Sequence, residues 1–347
     1  MFKATGNALF ESEFLDARIK YFEIYIHVHR CLQRLNIVVI WLLHNYEEWK
    51  MIFIRVLLLT VITFIYSSTL YSQISRGLIK EGLIIKSKIL KKDIRYTIYL
   101  PFDYNSSSRY YPIVYLLHGY TDNDMGWMQF GEAHMIADEA IGKRQIPPMI
   151  LAMPDGGVSW YINNFDNSVR YEDFFFEEFI PLIESEYRVR TEKQYRGIAG
   201  LSMGGFGTLV YALKHTDMFS ACAAFSAGLS TKEDIINMGE SRWERMNAIL
   251  YGPGLKGAER ITQHLNDNNP IYIVQNADLE KVKSVRMYID CGDDDFLYRG
   301  NSAFHILLRD LNIPHEYRVR DGGHQWSYWR SGLIEGLNFI GTSFHQP

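Results

Sequence analysis

Three short stretches hold residue types that together could cleave an ester. Gly200-Leu201-Ser202-Met203-Gly204-Gly205 places a serine between glycines two positions before and two after it. Cys291-Gly292-Asp293-Asp294-Asp295 supplies three carboxylates, and Asp321-Gly322-Gly323-His324-Gln325-Trp326 supplies an imidazole. A serine hydroxyl is a weak nucleophile until a base takes its proton, and the base needs an acid to hold its tautomer. Serine, acid, histidine is the chain order of folds built on a nucleophile elbow. A lone Gly-x-Ser-x-Gly is also what an ordinary glycine-serine turn capping a helix looks like. The ordered set is far more specific than the pentapeptide.

His324 is the base expected of this set. It is the histidine on a strand-end loop downstream of the acids. His305 and His315 fall in the helix and strand just before it, His345 in the tail, and His215 and His264 near helix ends. Three aspartates compete for the acid. Asp295 precedes Phe296-Leu297, where the chain turns apolar, and is best placed for burial; Asp293 and Asp294 stay open. An oxyanion hole needs two backbone amides. One is that of Met203, after the serine. The other is that of Tyr120 or Gly119, in the loop following Leu116-Leu117-His118. His118 itself, at a buried strand end, reads as a structural hydrogen-bonder.

These groups require strands to deliver them. Tyr195 to Ala199 is a short apolar run before Ser202, and an Ala/Leu-rich run follows, which predicts strand, sharp turn and helix. Ile113–Leu117, Met149–Met153, Ala221–Phe225, Ser284–Asp290 and His315–Val319 read as further strands. Most are continuous apolar runs, the pattern of a sheet covered on both faces. Gly82–Ile89 and Ile94–Leu100 alternate and read as an antiparallel hairpin. Helices are predicted over Tyr171–Tyr187, to about Lys214, over Ala303–Leu311 and from Ser327 to about Gly341. Strand and helix alternate, so the class is α/β, with a mostly parallel central sheet and helices on both faces. Residues 230–283 break the rhythm with helical pieces and turns, and read as a helical cap over the site.

Composition narrows the function class. The chain has 347 residues, 47% hydrophobic and 22% charged, with a net charge of -4. It can bury a large core, and no basic block asks for nucleic acid. Cys31, Cys222 and Cys291 are scattered, so neither a zinc site nor a disulfide framework is indicated, and His27, His29 and His44 read as non-ligands. Met51-Ile-Phe-Ile-Arg55, the apolar run Val56–Tyr66 and small residues to Gln73 have the layout of a signal peptide. The expectation is that Met51 is the initiator, 1–50 an over-extended start, 51–72 the leader and 73–347 one catalytic domain. The product would then be secreted or periplasmic. If uncleaved, residues 52–66 would anchor it to a membrane.

Leu-Leu-His-Gly at 116–119, Met-Pro-Asp-Gly at 153–156, Gly-Leu-Ser-Met-Gly-Gly at 200–205, Cys-Gly-Asp-Asp-Asp at 291–295 and Gly-Gly-His at 322–324 together resemble the esterase D and feruloyl esterase-like family of α/β-hydrolases. The resemblance covers about 85 to 342. It implies the α/β-hydrolase fold and a serine carboxylesterase with no metal or organic cofactor. In the family's secreted members the acid matches the third aspartate of the run, which supports Asp295. Members include S-formylglutathione hydrolases, feruloyl and acetyl-xylan esterases, siderophore esterases and mycolyltransferases. Secretion disfavours the cytosolic glutathione thioester, so a small ester or an acylated cell-wall carbohydrate (feruloyl or acetyl xylan) is expected. Other short-chain esters, acyl transfer and a catalytically dead binding protein are the alternatives. Trp127, Trp160, Tyr161 and Trp326, with Trp329, lie on or beside the site loops and are candidates for stacking on an aromatic acyl group or a sugar.

Overall fold

The computed structural model describes residues 23–37, 39, 57–61 and 76–345. Contacts divide the chain into two units, Met1–Gln73 and Ile74–Pro347. In the first, residues 23–37 and 57–61 are helical and exposed. Among the described residues no helix is long and apolar enough to cross a membrane. Apart from residues 57–61, the expected leader at 51–72 lies outside the described residues, as does most of the 1–50 extension.

The second unit is built on an eight-stranded sheet. Its strands are β1 (Leu78–Ser87), β2 (Lys92–Leu100), β3 (Ile113–Leu117), β4 (Ile150–Pro154), β5 (Arg196–Leu201), β6 (Ala221–Phe225), β7 (Arg286–Asp290) and β8 (His315–Arg318). They lie in the order β1-β2-β4-β3-β5-β6-β7-β8. β2 runs antiparallel to both its neighbours, and β3 to β8 are parallel. The first strand begins four residues before its expected start at Gly82. Its register slips between Lys80 and Leu83, and Gly82 stands at φ +65°, so a bulge interrupts the alternation that marks a strand in sequence.

Five-residue apolar runs form the centre because they can satisfy both faces at once. In β3, Ile113, Tyr115 and Leu117 face one layer; Val114 and Leu116 face the other. On the first face pack the elbow helix Met203–Lys214 and the segment Tyr171–Glu186. On the second pack Ala133–Gly142 and Trp326–Ser343. The segment from Tyr171 carries a π turn, Phe175–Phe179, between two α-helical pieces. The extra residue shifts the helical phase and lets Phe174, Phe175 and Phe179 all be buried. Glu172 turns inward as well, where Lys214 and His215 hold it at 2.6 and 2.9 Å.

The expected cap divides in two. Helices Lys232–Ile236 and Glu240–Met246 bring Met238, Arg242 and Met246 to the site cavity. The later helix Pro270–Asn276 packs instead against the elbow helix. One buried guanidinium pins the first part. Arg260 donates to the carbonyls of Leu255 (3.0 Å), Ile235 (3.1 Å) and Met238, and lies over the Trp243 ring. The Ile235 carbonyl lies in the last turn of Lys232–Ile236, where no i+4 helical amide follows; it takes Arg260 beside a long bond from Met238 N at 3.4 Å.

Candidate active site

Ser202 sits where β5 turns into the helix Met203–Lys214, with φ 54° and ψ −115°. The turn is held by three backbone bonds: Ser202 N to Phe225 O (2.9 Å), and Phe206 N and Gly228 N to Ser202 O (3.0 and 2.9 Å). The flanking glycines are there because the chain passes too close for a side chain. A Cβ on Gly200 would lie 2.4 Å from Gly204 O, and one on Gly204 would lie 2.3 Å from Leu117 O. The turn thus seats the serine beside the end of β3.

The imidazole and carboxylate arrive from the two neighbouring loops. His324 Nε2 is 2.9 Å from Ser202 Oγ. His324 Nδ1 is 2.9 and 3.1 Å from the two oxygens of Asp295. Asp295 is 1% exposed, and Leu297 N donates to its Oδ1 at 2.8 Å. Burial opposes its ionisation. The hydrogen bonds from His324, Leu297 and Ser226 outweigh burial and hold the carboxyl below the usual aspartate range. Of the three candidate acids, Asp295 is the one that meets the histidine. Asp293 accepts from Gly322 N at 3.0 Å, and Asp294 N donates to Gly322 O at 3.1 Å. These two tie the acid loop to the histidine loop. The loops touch so closely that a Cβ on Gly292 would fall 2.0 Å from Gly322 O. Asp293, Asp294 and Asp321 do bring exposed carboxylates within 4.8 Å of one another, a grouping that spacing did not reveal.

An ion pair between a half-buried guanidinium and a buried carboxylate, unremarked in the sequence, fixes the histidine loop from behind. Arg320 Nε lies 3.0 Å from Asp290 Oδ2, and Asp290 also accepts from Tyr288 (3.1 Å) and Tyr328 hydroxyls. Asp290 ends β7 and is wholly buried, so the loop's entry and the final helix's first turn are bolted to the sheet.

Of the expected oxyanion donors, Met203 opens the elbow helix, so its amide is one of the four that a helix leaves without an internal acceptor. Gly119 and Tyr120 line the cavity, and Gly119 approaches Leu201 and Ser202 from β3. His118 takes the bonding role expected of it. Its Nδ1 donates to Gly119 O (2.7 Å), and its Nε2 accepts from Gly156 N (2.7 Å).

The cavity over Ser202 has a volume of about 670 Å³. Trp160, Trp326, Trp329 and Phe130 form its aromatic wall. Two expected stacking residues are not in that wall. Trp127 is buried behind Trp326, ring to ring at 5.3 Å, with its Nε1 donating to Leu117 O. Tyr161 is wholly buried, its hydroxyl donating to His118 O at 3.0 Å. Trp160 and Tyr161 stand at φ 55° and 63°, and across this tight turn the first ring lines the cavity while the second is buried in the core. Phe296, Arg242 and Asp122 line the cavity and were missed. Phe296 follows Asp295 directly and lies 4.5 Å from the His324 ring, a position its sequence neighbour could have signalled. Burial pushes the Asp122 carboxyl above its ordinary value, against the pull of Asn123 N and His118.

Residues 87–340 match the family model described as Putative esterase. The chain belongs to this family. An esterase of Mycobacterium tuberculosis is 30% identical over 245 residues, covering 65% of this chain and 51% of its own length. The chain therefore spans about half the length of that relative. An acetyl esterase of Caldicellulosiruptor saccharolyticus is 27% identical over 268 residues, 73% of this chain and 94% of its own. The solved structure of a ferulic acid esterase superposes with a TM-score of 0.67 at 33% identity, covering 78% of this chain and 99% of that one. The fold is that of the esterase α/β-hydrolases.

Proposed function

We propose that the chain is a serine carboxylesterase that removes feruloyl or acetyl groups from plant cell-wall xylan. The observation that carries the proposal is the relay Asp295–His324–Ser202, with each contact near 2.9 Å, opening onto an aromatic cavity. His324 Nε2 takes the Ser202 proton as Oγ attacks the ester carbonyl. Asp295 holds the Nδ1–H and stabilises the imidazolium that forms. The amides of Met203 and of Gly119 or Tyr120 receive the negative charge on the carbonyl oxygen. His324 returns the proton to the leaving alcohol, leaving an acyl-enzyme on Ser202. Water, deprotonated by His324, then releases the acid and restores the serine.

The acyl side is supported by Trp160, Trp326 and Phe130, which suit a flat aromatic acid or a small acetyl group. The activities of two relatives, an acetyl esterase and a ferulic acid esterase, point the same way. The leader-like layout at 51–72 supports a secreted or periplasmic product.

Ser202→Ala is expected to abolish turnover of p-nitrophenyl acetate while leaving the fold intact. His324→Ala should cost a similar factor, on the order of 10⁵ to 10⁶, and the two losses should not add. Turnover surviving in Ser202→Ala would sink the mechanism. Release of ferulate against acetate from arabinoxylan, beside a panel of short-chain, siderophore and acyl-acceptor substrates, decides the ester. Release confined to that panel moves the substrate to the other branches of the family.

A further inference from the structure

A second cavity, of about 600 Å³, adjoins the one over Ser202. The two share Ser230, Met238, Arg242, Phe296 and Leu297 in their walls, so they form one continuous cleft. Their linings differ in kind. The first is mainly aromatic and apolar. The second presents Glu233, Asp234, Asn237, Arg242 and Arg299, and it is rimmed by the Phe296 and Tyr298 rings, 66% and 52% exposed.

The charges in the second cavity balance: two carboxylates and two guanidiniums line it. Such a surface carries no net formal charge to draw in a phosphate, an anionic headgroup or a polycation. It does offer acceptors, donors and an amide at close spacing, flanked by exposed aromatic faces. That combination matches a sugar, whose hydroxyls pair with carboxylate, amide and guanidinium groups while its C–H faces lie on rings. Glu233, Asn237, Tyr298 and Arg299 are exposed, so a chain can leave the cavity at its open side.

We infer that this polar cavity is the subsite for the alcohol side of the substrate, holding a saccharide chain while the acyl group occupies the aromatic pocket. The inference rests on the esterase reading and names the leaving group's place within it. It follows that cleavage should depend on the length of the sugar chain. The junction residues Arg242 and Phe296 divide the two compartments.

The test compares kcat/KM for acetylated and feruloylated xylo-oligosaccharides of one to four sugars with that for p-nitrophenyl acetate on the same preparation. The wild-type protein should favour the longer chains. Asn237→Ala with Tyr298→Ala should lower the oligosaccharide-to-small-ester ratio about tenfold, chiefly through KM, as expected when polar and stacking contacts are lost. Asn237→Trp, which fills the cavity from an exposed position, should erase the dependence on chain length. A chain-length profile that is flat in the wild type, or unmoved by both variants, overturns the subsite. Absence of turnover on every ester, p-nitrophenyl acetate included, would fell the esterase reading and the subsite with it. Turnover of p-nitrophenyl acetate with none of any xylo-oligosaccharide ester would fell the subsite alone.

Discussion

Ser202 stands in a backbone region that glycine enters freely and serine does not, and strain of this kind costs about 1–3 kcal/mol. Glycine there would remove the strain but add about 0.5–1 kcal/mol of unfolded-chain entropy. The strain is the larger effect, so Ser202→Gly should be more stable than Ser202→Ala by about 1 kcal/mol in urea denaturation, with both inactive. Equal stability would mean the elbow is relaxed. The three aspartates should separate as sharply. Asp295→Asn should lower kcat on p-nitrophenyl acetate by roughly 10⁴, since an amide cannot hold the same imidazole tautomer. Asp294→Asn should leave kcat near the wild-type value, because its tie to the histidine loop runs through the backbone amide. Asp293→Ala should fall between them, since it removes the acceptor that holds Gly322 N.

Elements position these residues, and two of them depend on single side chains. Arg260 closes the first part of the insertion by bonding carbonyls at the end of Lys232–Ile236 and in the loop after it. Arg260→Ala strands those carbonyls and should destabilise the protein by about 3 kcal/mol, read from the denaturation midpoint. It should also raise KM, because Met238 and Arg242 depend on that segment. Arg260→Lys should not rescue it, since one ammonium cannot span the same carbonyls. The helix Tyr298–Asp310 is joined to β8 by His305 Nδ1 and His315 Nε2, 2.7 Å apart. Burial, then the charges of His315 and Arg309, hold the His305 pKa below its ordinary value. The unfolded chain therefore binds the proton first, and stability should fall as pH drops from about 6.5 toward the folded-state value. His305→Gln should flatten that slope in denaturation curves taken from pH 5 to 8. A slope unchanged in the variant would assign it elsewhere.

At the scale of the whole molecule, the sheet, the relay and both cavities all fall within Ile74–Pro347. A chain beginning at Ile74 should keep its turnover of p-nitrophenyl acetate and its Tm. Loss of either would give the first unit a part in folding or catalysis. The leader-like segment makes a separate claim. Cleavage at this segment predicts that the N-terminus of the protein isolated from its native source, read by sequencing, lies near Gln73. A mature chain retaining residues before Met51 would remove the misplaced-start reading.

The central strands were legible from residue types alone. Runs such as Ile113–Leu117 and Ala221–Phe225 carry no charged side chain and, Tyr115 apart, no hydroxyl to offer water, so they are covered on both faces. The order of Ser202, the acid loop and His324 was legible too, because an elbow needs its glycines and the other two loops need strands before them. Facing was not. Trp127 lies in the short helix Gly126–Gln129 and Trp160 in a loop, and residue type does not tell them apart. A bond from one indole to Leu117 O and a left-handed backbone at the other put the first behind the wall and the second in it. The contribution of Arg242 and Phe296 was equally hidden, since it arises where an insertion and a strand-end loop meet. Sequence by itself determined which chemistry the chain carries, through local runs and tight turns. Only the tertiary structure decided which acid meets His324 and which rings meet the cavity, because burial is set by contacts between segments far apart in the chain.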